Sequence, residues 1–283
     1  MSFTPAPRWH KLLGRTGLYL AAVVVFVVSV FPFYYAFLTS LRSGQDLFTP
    51  SYLPEVFDWS NYVSVLSDTG IARSLFNSFA VATLTVGGCL LVSITASFAL
   101  ARIQFRGKGT LLLTILCFSM FPQVAVLSGM FELIRLFGLY DNLGALILSY
   151  LTFSLPFTVW VLTTFMRSLP GDLEEAGIMD GASLWVTITR IYAPLLAPAM
   201  ITTGLLAFIG AWNEFMFALT FVISPENRTV PVAISMLQGA SRFELPWANI
   251  MASSVLATLP IIVLVLIFQR RIVSGLTSGA VKG

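Results

Sequence analysis

Residues 74–101 read SLFNSFAVATLTVGGCLLVSITASFALA, a stretch with no charged side chain. At about 1.5 Å of rise per residue, a helix of this length crosses the roughly 30 Å hydrocarbon core of a bilayer. Apolar and polar positions do not alternate, as they would along the strand of a membrane barrel, so the run reads as a helix.

The pattern repeats along the chain. Uncharged runs at 16–41, 109–131, 142–166, 191–213 and 245–269 each exceed the spanning threshold of about 18 residues. The run at 191–213 continues through a single acid, Glu214, to about Val222. Across the 283 residues, 57% are apolar and 10% charged, against about a quarter charged in soluble domains. The expected fold is an all-α integral membrane protein of six transmembrane helices. Its expected parts are an N-terminal segment 1–15, a first span 16–41, an outer loop 42–73, a five-helix bundle 74–269 and a tail 270–283. Within the bundle lie an inner loop, 167–192, and an outer loop, 223–247. A first apolar stretch after basic residues also describes a cleavable signal. Here Phe31-Pro32-Phe33-Tyr34-Tyr35 is bulky where a peptidase needs small side chains, so the stretch reads as a permanent anchor.

Orientation follows from the distribution of basic residues. Six spans put both termini on one side. That side collects Arg8, Lys11, Arg15, Arg102, Arg106, Lys108, Arg167, Arg190, Arg270, Arg271 and Lys282, eleven of the sixteen Lys and Arg. Both termini are therefore expected in the cytoplasm of a cell whose inner membrane the chain crosses. The net charge of +3 is scattered, which gives nucleic acid no patch to bind.

Chemistry-bearing clusters are scarce. Cys89 and Cys117 sit in apolar runs without metal spacing, and His10 is the only histidine. These read as packing residues rather than ligands or a disulfide. There is no Gly-x-Ser-x-Gly, no His-Glu-x-x-His and no phosphate-binding P-loop, so the chain is read as non-catalytic. Pro32, Pro122, Pro156, Pro198 and Pro260 fall inside spans, where kinks let helices curve around a cavity.

The inner loop is the most informative segment. After Ser168 and Pro170, the acids Asp172, Glu174 and Glu175 suit the positive end of a helix dipole. Gly181 stops that helix, and Ser183 caps a second one carrying Leu184, Ile188 and Ile191 on one face. Pro194 then begins the next membrane entry. A helix lying on anionic headgroups would carry Lys and Arg on its polar face. Four acids here argue instead for a knob gripped by another protein.

Glu175-Ala176-Gly177-Ile178-Met179-Asp180-Gly181-Ala182, followed by Ile191 and Pro194, resembles the cytoplasmic signature of bacterial ABC importer permeases. Gly177 and Ala193 replace the family's usual alanine and leucine. Ala211-Trp212-Asn213-Glu214-Phe215, the segment Ala101–Lys108 and the tail Gly275-Leu276-Thr277-Ser278-Gly279-Ala280-Val281-Lys282-Gly283 resemble the maltose-type sugar permeases, and among them the second, shorter subunit of the pair. The resemblance implies a type I importer bundle, a homologous second permease subunit, two ATPase subunits that hold ATP and Mg, and an extracytoplasmic sugar-binding protein. It implies no cofactor in this chain. Glu175, Ala176, Gly177, Asp180, Gly181 and Ala182 would couple to the ATPase. Gly275, Thr277, Gly279 and Lys282 would reach between its two copies, and the loop 223–247 would face the binding protein.

A charge inside a span faces a bundle interior or an aqueous path. Glu214 is therefore either a sugar or gate residue or a structural partner for a neighbouring helix. Asn77, Gln123, Trp212 and Asn213 are the other candidates for the translocation path. The competing class is a stand-alone secondary transporter or channel, which more often carries several intramembrane acids and internal repeats. Among importer substrates, the absence of an arginine inside any expected span favours a neutral disaccharide over a phosphorylated solute.

Overall fold

The computed structural model describes residues 8–49, 51–53, 57–238 and 245–278. Within them every regular element is helical. In chain order these are α1 (Arg8–Ser40), α2 (Ser60–Ser67), α3 (Ile71–Arg102), α4 (Lys108–Phe118), α5 (Gln123–Leu136), α6 (Leu143–Ser168), α7 (Asp172–Met179), α8 (Leu184–Val186), α9 (Ala193–Asn213), α10 (Met216–Phe221), α11 (Val230–Ser235) and α12 (Trp247–Ser278). They fall into two units, one of residues 1–69 and 237–256, the other of 70–236 and 257–283.

In the first unit, α1 is exposed from Arg15 to Tyr35. Only its end is covered. There the chain doubles back, and the buried Arg42 guanidinium donates to the Thr49 carbonyl at 3.1 Å and the Ser51 hydroxyl at 2.6 Å. Asn61 donates to the Ser40 and Arg42 carbonyls at 3.0 and 2.9 Å, closing the last turn of α1.

In the second unit, α3, α6 and α9 pack on one another around Val81, Ala82, Leu146, Tyr150, Phe208 and Trp212. Lipid tails are as apolar as leucine, so this association depends on close packing and buried hydrogen bonds more than on exclusion of water. The buried small residues fit that requirement: Ala82, Ser93, Ser97, Ala145 and Ser149 let the backbones approach. Ser97 donates across to the Val159 carbonyl at 3.2 Å.

Among the described residues, five helices are long and apolar enough to cross a membrane. The third expected span, 109–131, is not one straight helix. It is the pair α4 and α5, bent by 97°. The cause is local. Pro122 has no N–H to continue the ladder and is itself extended (φ −67°, ψ 131°). Before it the chain tightens, Ser119 and Met120 donating to the Leu116 and Cys117 carbonyls at 3.0 and 3.1 Å. Counted as one crossing, the pair makes six spans.

The fifth span also departs from expectation. It begins at Leu184, not near Ile191, because α8 continues through a π-helical segment, Thr187–Tyr192, directly into α9. Pro194 lacks an N–H, and the wider turn, with Ala193 donating to the Ile188 carbonyl, absorbs that gap within the helix. The span stops at Asn213, and Glu214 is extended (φ −68°, ψ 133°) before α10. At the other end of the chain, the backbone of α12 stays helical through Gly275 and Thr277 to Ser278.

Candidate functional site

Two places hold the residues singled out above. The first is the inner loop. Its helix, α7, starts at Asp172 after Gly171, so Pro170 precedes the first turn rather than filling it. The acids Asp172, Glu174 and Glu175 occupy that turn, where the dipole favours them. Its end is a Schellman closure: Ala182 N–H donates to the Gly177 carbonyl at 2.9 Å and Gly181 N–H to the Ile178 carbonyl at 3.0 Å. Gly181 sits at φ +74°, a left-handed conformation that glycine adopts without a Cβ clash. The next helix is capped by Ser183, whose hydroxyl accepts from Val186 N–H at 3.4 Å.

This elbow turns one face inward and one out. Gly177 is buried, and a Cβ there would meet Ile191 Cδ1 at 2.8 Å. Glu175, Ala176, Asp180 and Gly181 are exposed, with Ala182 partly covered. Beside them stand four exposed apolar side chains: Ile178, Met179, Leu184 and Trp185, of which Met179 is 86% exposed. The sequence pattern put Leu184 on one stripe with Ile188 and Ile191, but Leu184 is exposed while Ile188 is buried, and the outward apolar face with Ile178, Met179 and Trp185 was missed. Its signal was the adjacency of two large apolar residues on either side of the Gly181 turn.

The loop is fastened to the bundle by Arg102 at the end of α3. Its guanidinium donates to the Met166 and Leu169 carbonyls, both at 2.9 Å, where α6 ends and its dipole is negative. It also lies 5.0 Å from the ring centre of Tyr192, in the π-helical segment.

The second place is a cleft of about 240 Å³ between α5, α6 and α9, whose mostly apolar lining carries the polar groups of Gln123, Ser154 and Glu214. It brings together Gln123 and Glu214, two of the five path candidates. Glu214 is only 8% exposed, and its carboxylate accepts three hydrogen bonds: Tyr150 Oη at 2.8 Å, Phe217 N–H at 3.0 Å and Ala218 N–H at 3.2 Å. The last two are otherwise unmatched donors at the start of α10. The carboxylate thus holds the break between α9 and α10.

The other candidates lie elsewhere. Trp212 is 3% exposed and stacks on Phe208 with ring centres 5.6 Å apart, inside the core. Asn213 is exposed, and its amide closes its own helix by donating to the Ile209 carbonyl at 2.9 Å. Asn77 is buried and donates to the Glu226 and Arg228 carbonyls at 2.7 and 3.0 Å. It therefore fixes the start of the outer loop 223–247. Gly279 and Lys282 of the tail lie outside the described residues, as does the 239–244 portion of that outer loop.

Asp141 anchors the same loop from the α5–α6 turn. Its carboxylate accepts Ile223 and Ser224 N–H, both at 2.9 Å, together with the Ser224 hydroxyl, and Asn227 donates to its carbonyl at 2.7 Å. The Ser224 hydroxyl, and then the two N–H groups, hold this carboxyl below the usual carboxylate range. Asp141 does this at φ +57°, a conformation that Asp tolerates better than most residues.

Residues 90–278 match the family model described as "Binding-protein-dependent transport system inner membrane component". The chain is 38% identical over 276 residues to the trehalose/maltose transport system permease protein of Thermococcus litoralis, an alignment covering 97% of this chain and 99% of that one. It is 37% identical over 272 residues to the trehalose transport system permease protein of Mycobacterium tuberculosis, covering 95% and 99%. Among solved structures, a chain of a bacterial ABC transporter involved in the import of the acidic polysaccharide alginate superposes with a TM-score of 0.81 at 23% identity, covering 95% of this chain and 99% of that chain. At that identity the likeness is one of fold.

Proposed function

Because the chain belongs to the family of inner-membrane components of binding-protein-dependent transport systems, we propose that it is one membrane subunit of an ATP-driven sugar importer, forming half of the translocation pathway. A neutral disaccharide such as trehalose or maltose is the proposed cargo. Relatives matched over nearly their whole length carry those sugars in their names.

The observation that carries the ATP-driven reading is the inner elbow. A Schellman turn leaves Ile178, Met179, Leu184 and Trp185 uncovered beside the acid Glu175, and apolar side chains set among carboxylates suit a protein partner better than an anionic headgroup layer. An ATPase subunit docked there, holding ATP and Mg, would move the elbow on closing. Because α8 runs without a break into α9, that movement would pass straight into the spanning bundle. Closure and a loaded binding protein then both favour the same state of the bundle, which is a population shift. The partners are a homologous permease subunit, two ATPase copies, and an extracytoplasmic sugar-binding protein received on the loop held by Asn77 and Asp141. The tail residues Gly275, Thr277, Gly279 and Lys282 are assigned to the ATPase side. Both termini are placed in the cytoplasm, with α4 and α5 making one crossing.

The test is co-purification. Met179→Glu with Trp185→Glu changes only exposed side chains. The doubly substituted chain should retain its partner permease and lose the ATPase subunits. Undiminished ATPase in the purified complex would contradict the docking assignment.

A further inference from the structure

The two sides of α9 differ in chemistry. On one, a groove of about 500 Å³ between α3, α9 and α12 is lined by residues such as Phe79, Val86, Leu90, Met200 and Phe208, with Thr83 the one polar side chain among its lining residues. On the other lies the cleft with the polar groups of Gln123, Ser154 and Glu214. Unpaired polar groups are costly against lipid, so the second side, not the first, faces an aqueous path.

Within that cleft the obvious acceptor is already occupied. Glu214 is saturated by Tyr150 and the start of α10. The side chains of Gln123 and Ser154, by contrast, form no hydrogen bond with the described residues. Phe157, one helical turn beyond Ser154 on α6, lines the same cleft and is 39% exposed. An amide, a hydroxyl and an aromatic ring match the hydroxyls and apolar C–H face of a pyranose. The volume is below the roughly 300 Å³ at which pockets for drug-sized ligands begin, so it suits one ring rather than a whole oligosaccharide.

We propose that the cleft between α5, α6 and α9 holds a single sugar ring during passage, with Gln123 and Ser154 as its hydroxyl contacts and Phe157 as its apolar platform. This rests on the importer reading. Glu214 positions the cleft by holding the helix break and does not itself bind the ring.

The experiment uses the full complex, with partner permease, ATPase and binding protein, in proteoliposomes supplied with labelled trehalose or maltose. Gln123→Ala and Ser154→Ala should each reduce uptake by about three- to tenfold, the loss associated with one hydrogen bond. Thr83→Val, in the apolar groove, should leave it unchanged. In a Cys117→Ser background, Gln123→Cys and Ser154→Cys should react with a water-soluble maleimide, and saturating sugar should slow that reaction. Uptake at wild-type rates in both alanine variants, or labelling indifferent to sugar, overturns the cleft while wild-type import leaves the importer reading standing. A wild-type complex that imports neither sugar overturns the proposed function and the cleft with it.

Discussion

The Tyr150 hydroxyl donates to Glu214 Oε2 at 2.8 Å, joining α6 to the break between α9 and α10 across 64 positions of sequence. The acid that ends the fifth span is therefore a fastening. Glu214→Ala would leave the Tyr150 hydroxyl and two N–H groups at the start of α10 without an acceptor. Hydrogen bonds to charged groups contribute roughly 1.5–3 kcal/mol, so a loss of about 3 kcal/mol is expected. Tyr150→Phe should cost about half as much, because the carboxylate keeps its two N–H partners. Thermal unfolding of the purified complex measures both, and equal losses would contradict the division.

Gly177 and Gly181 should respond differently to alanine. At Gly181 there is open space around a Cβ but a left-handed backbone, which costs an L-residue roughly 1–2 kcal/mol. At Gly177 alanine gains up to about 1 kcal/mol of helix propensity and then meets Ile191 Cδ1 at 2.8 Å. The expected net effect at Gly177 is near zero. Gly177→Ala combined with Ile191→Val should recover the propensity gain. A double variant less stable than Gly177→Ala alone would show that the contact has been misjudged.

The Asp141 anchor predicts an acid limb. Its carboxyl is lowered in the folded protein, so the ionised form is the one bound by Ser224 and Ile223. The stabilisation it contributes is complete above the unfolded carboxyl value of about 3.9 and is lost as pH falls through the lower folded value. Asp141→Asn tolerates the same positive φ and removes the titration. Its unfolding temperature should be lower than wild type at pH 7, with the two curves converging below pH 4. Curves that stay parallel down to pH 3 would exclude Asp141 as a source of the dependence.

Arg102 is expected to resist conservative exchange. Two carbonyls and the Tyr192 ring surround a planar guanidinium, a geometry that a lysine ammonium does not reproduce. Arg102→Lys should cost about 1 kcal/mol and reduce ATP-coupled uptake more than it reduces complex assembly. An unchanged ratio of uptake to ATP hydrolysis would reduce Arg102 to a purely structural tie.

Much of this architecture is legible in the sequence because a membrane span is a local signal. The charge-free runs locate the bundle, and Gly181 with Ser183 locates the elbow from backbone rules alone. The bend at Pro122 was less legible. A proline in a span can be tolerated or can break it, and its presence alone does not announce a bend as large as 97°. The roles of Asn77 and Trp212 were not legible at all. Nothing near Asn77 in sequence announces its bonds to Glu226 and Arg228, about 150 residues away. Nor does an aromatic run distinguish the buried stack of Trp212 on Phe208 from a ring facing a sugar. Long-range pairing decides which polar groups remain free for a ligand: it ties up Glu214, leaves the candidate Gln123 free and adds Ser154, which the sequence had not singled out.

The central claim is that ATP hydrolysis by partner subunits drives sugar through this chain by way of the inner elbow. The direct measurement is sugar uptake and ATP hydrolysis in proteoliposomes holding the full complex and its binding protein, comparing wild type with Glu175→Ala plus Gly181→Asp. Wild type should import trehalose or maltose only with ATP and hydrolyse faster when the sugar-loaded binding protein is present, and the elbow variant should lose both while still inserting in the membrane. Normal transport by the variant, or sugar movement through the chain without any ATPase subunit, would contradict the account and point to a stand-alone carrier.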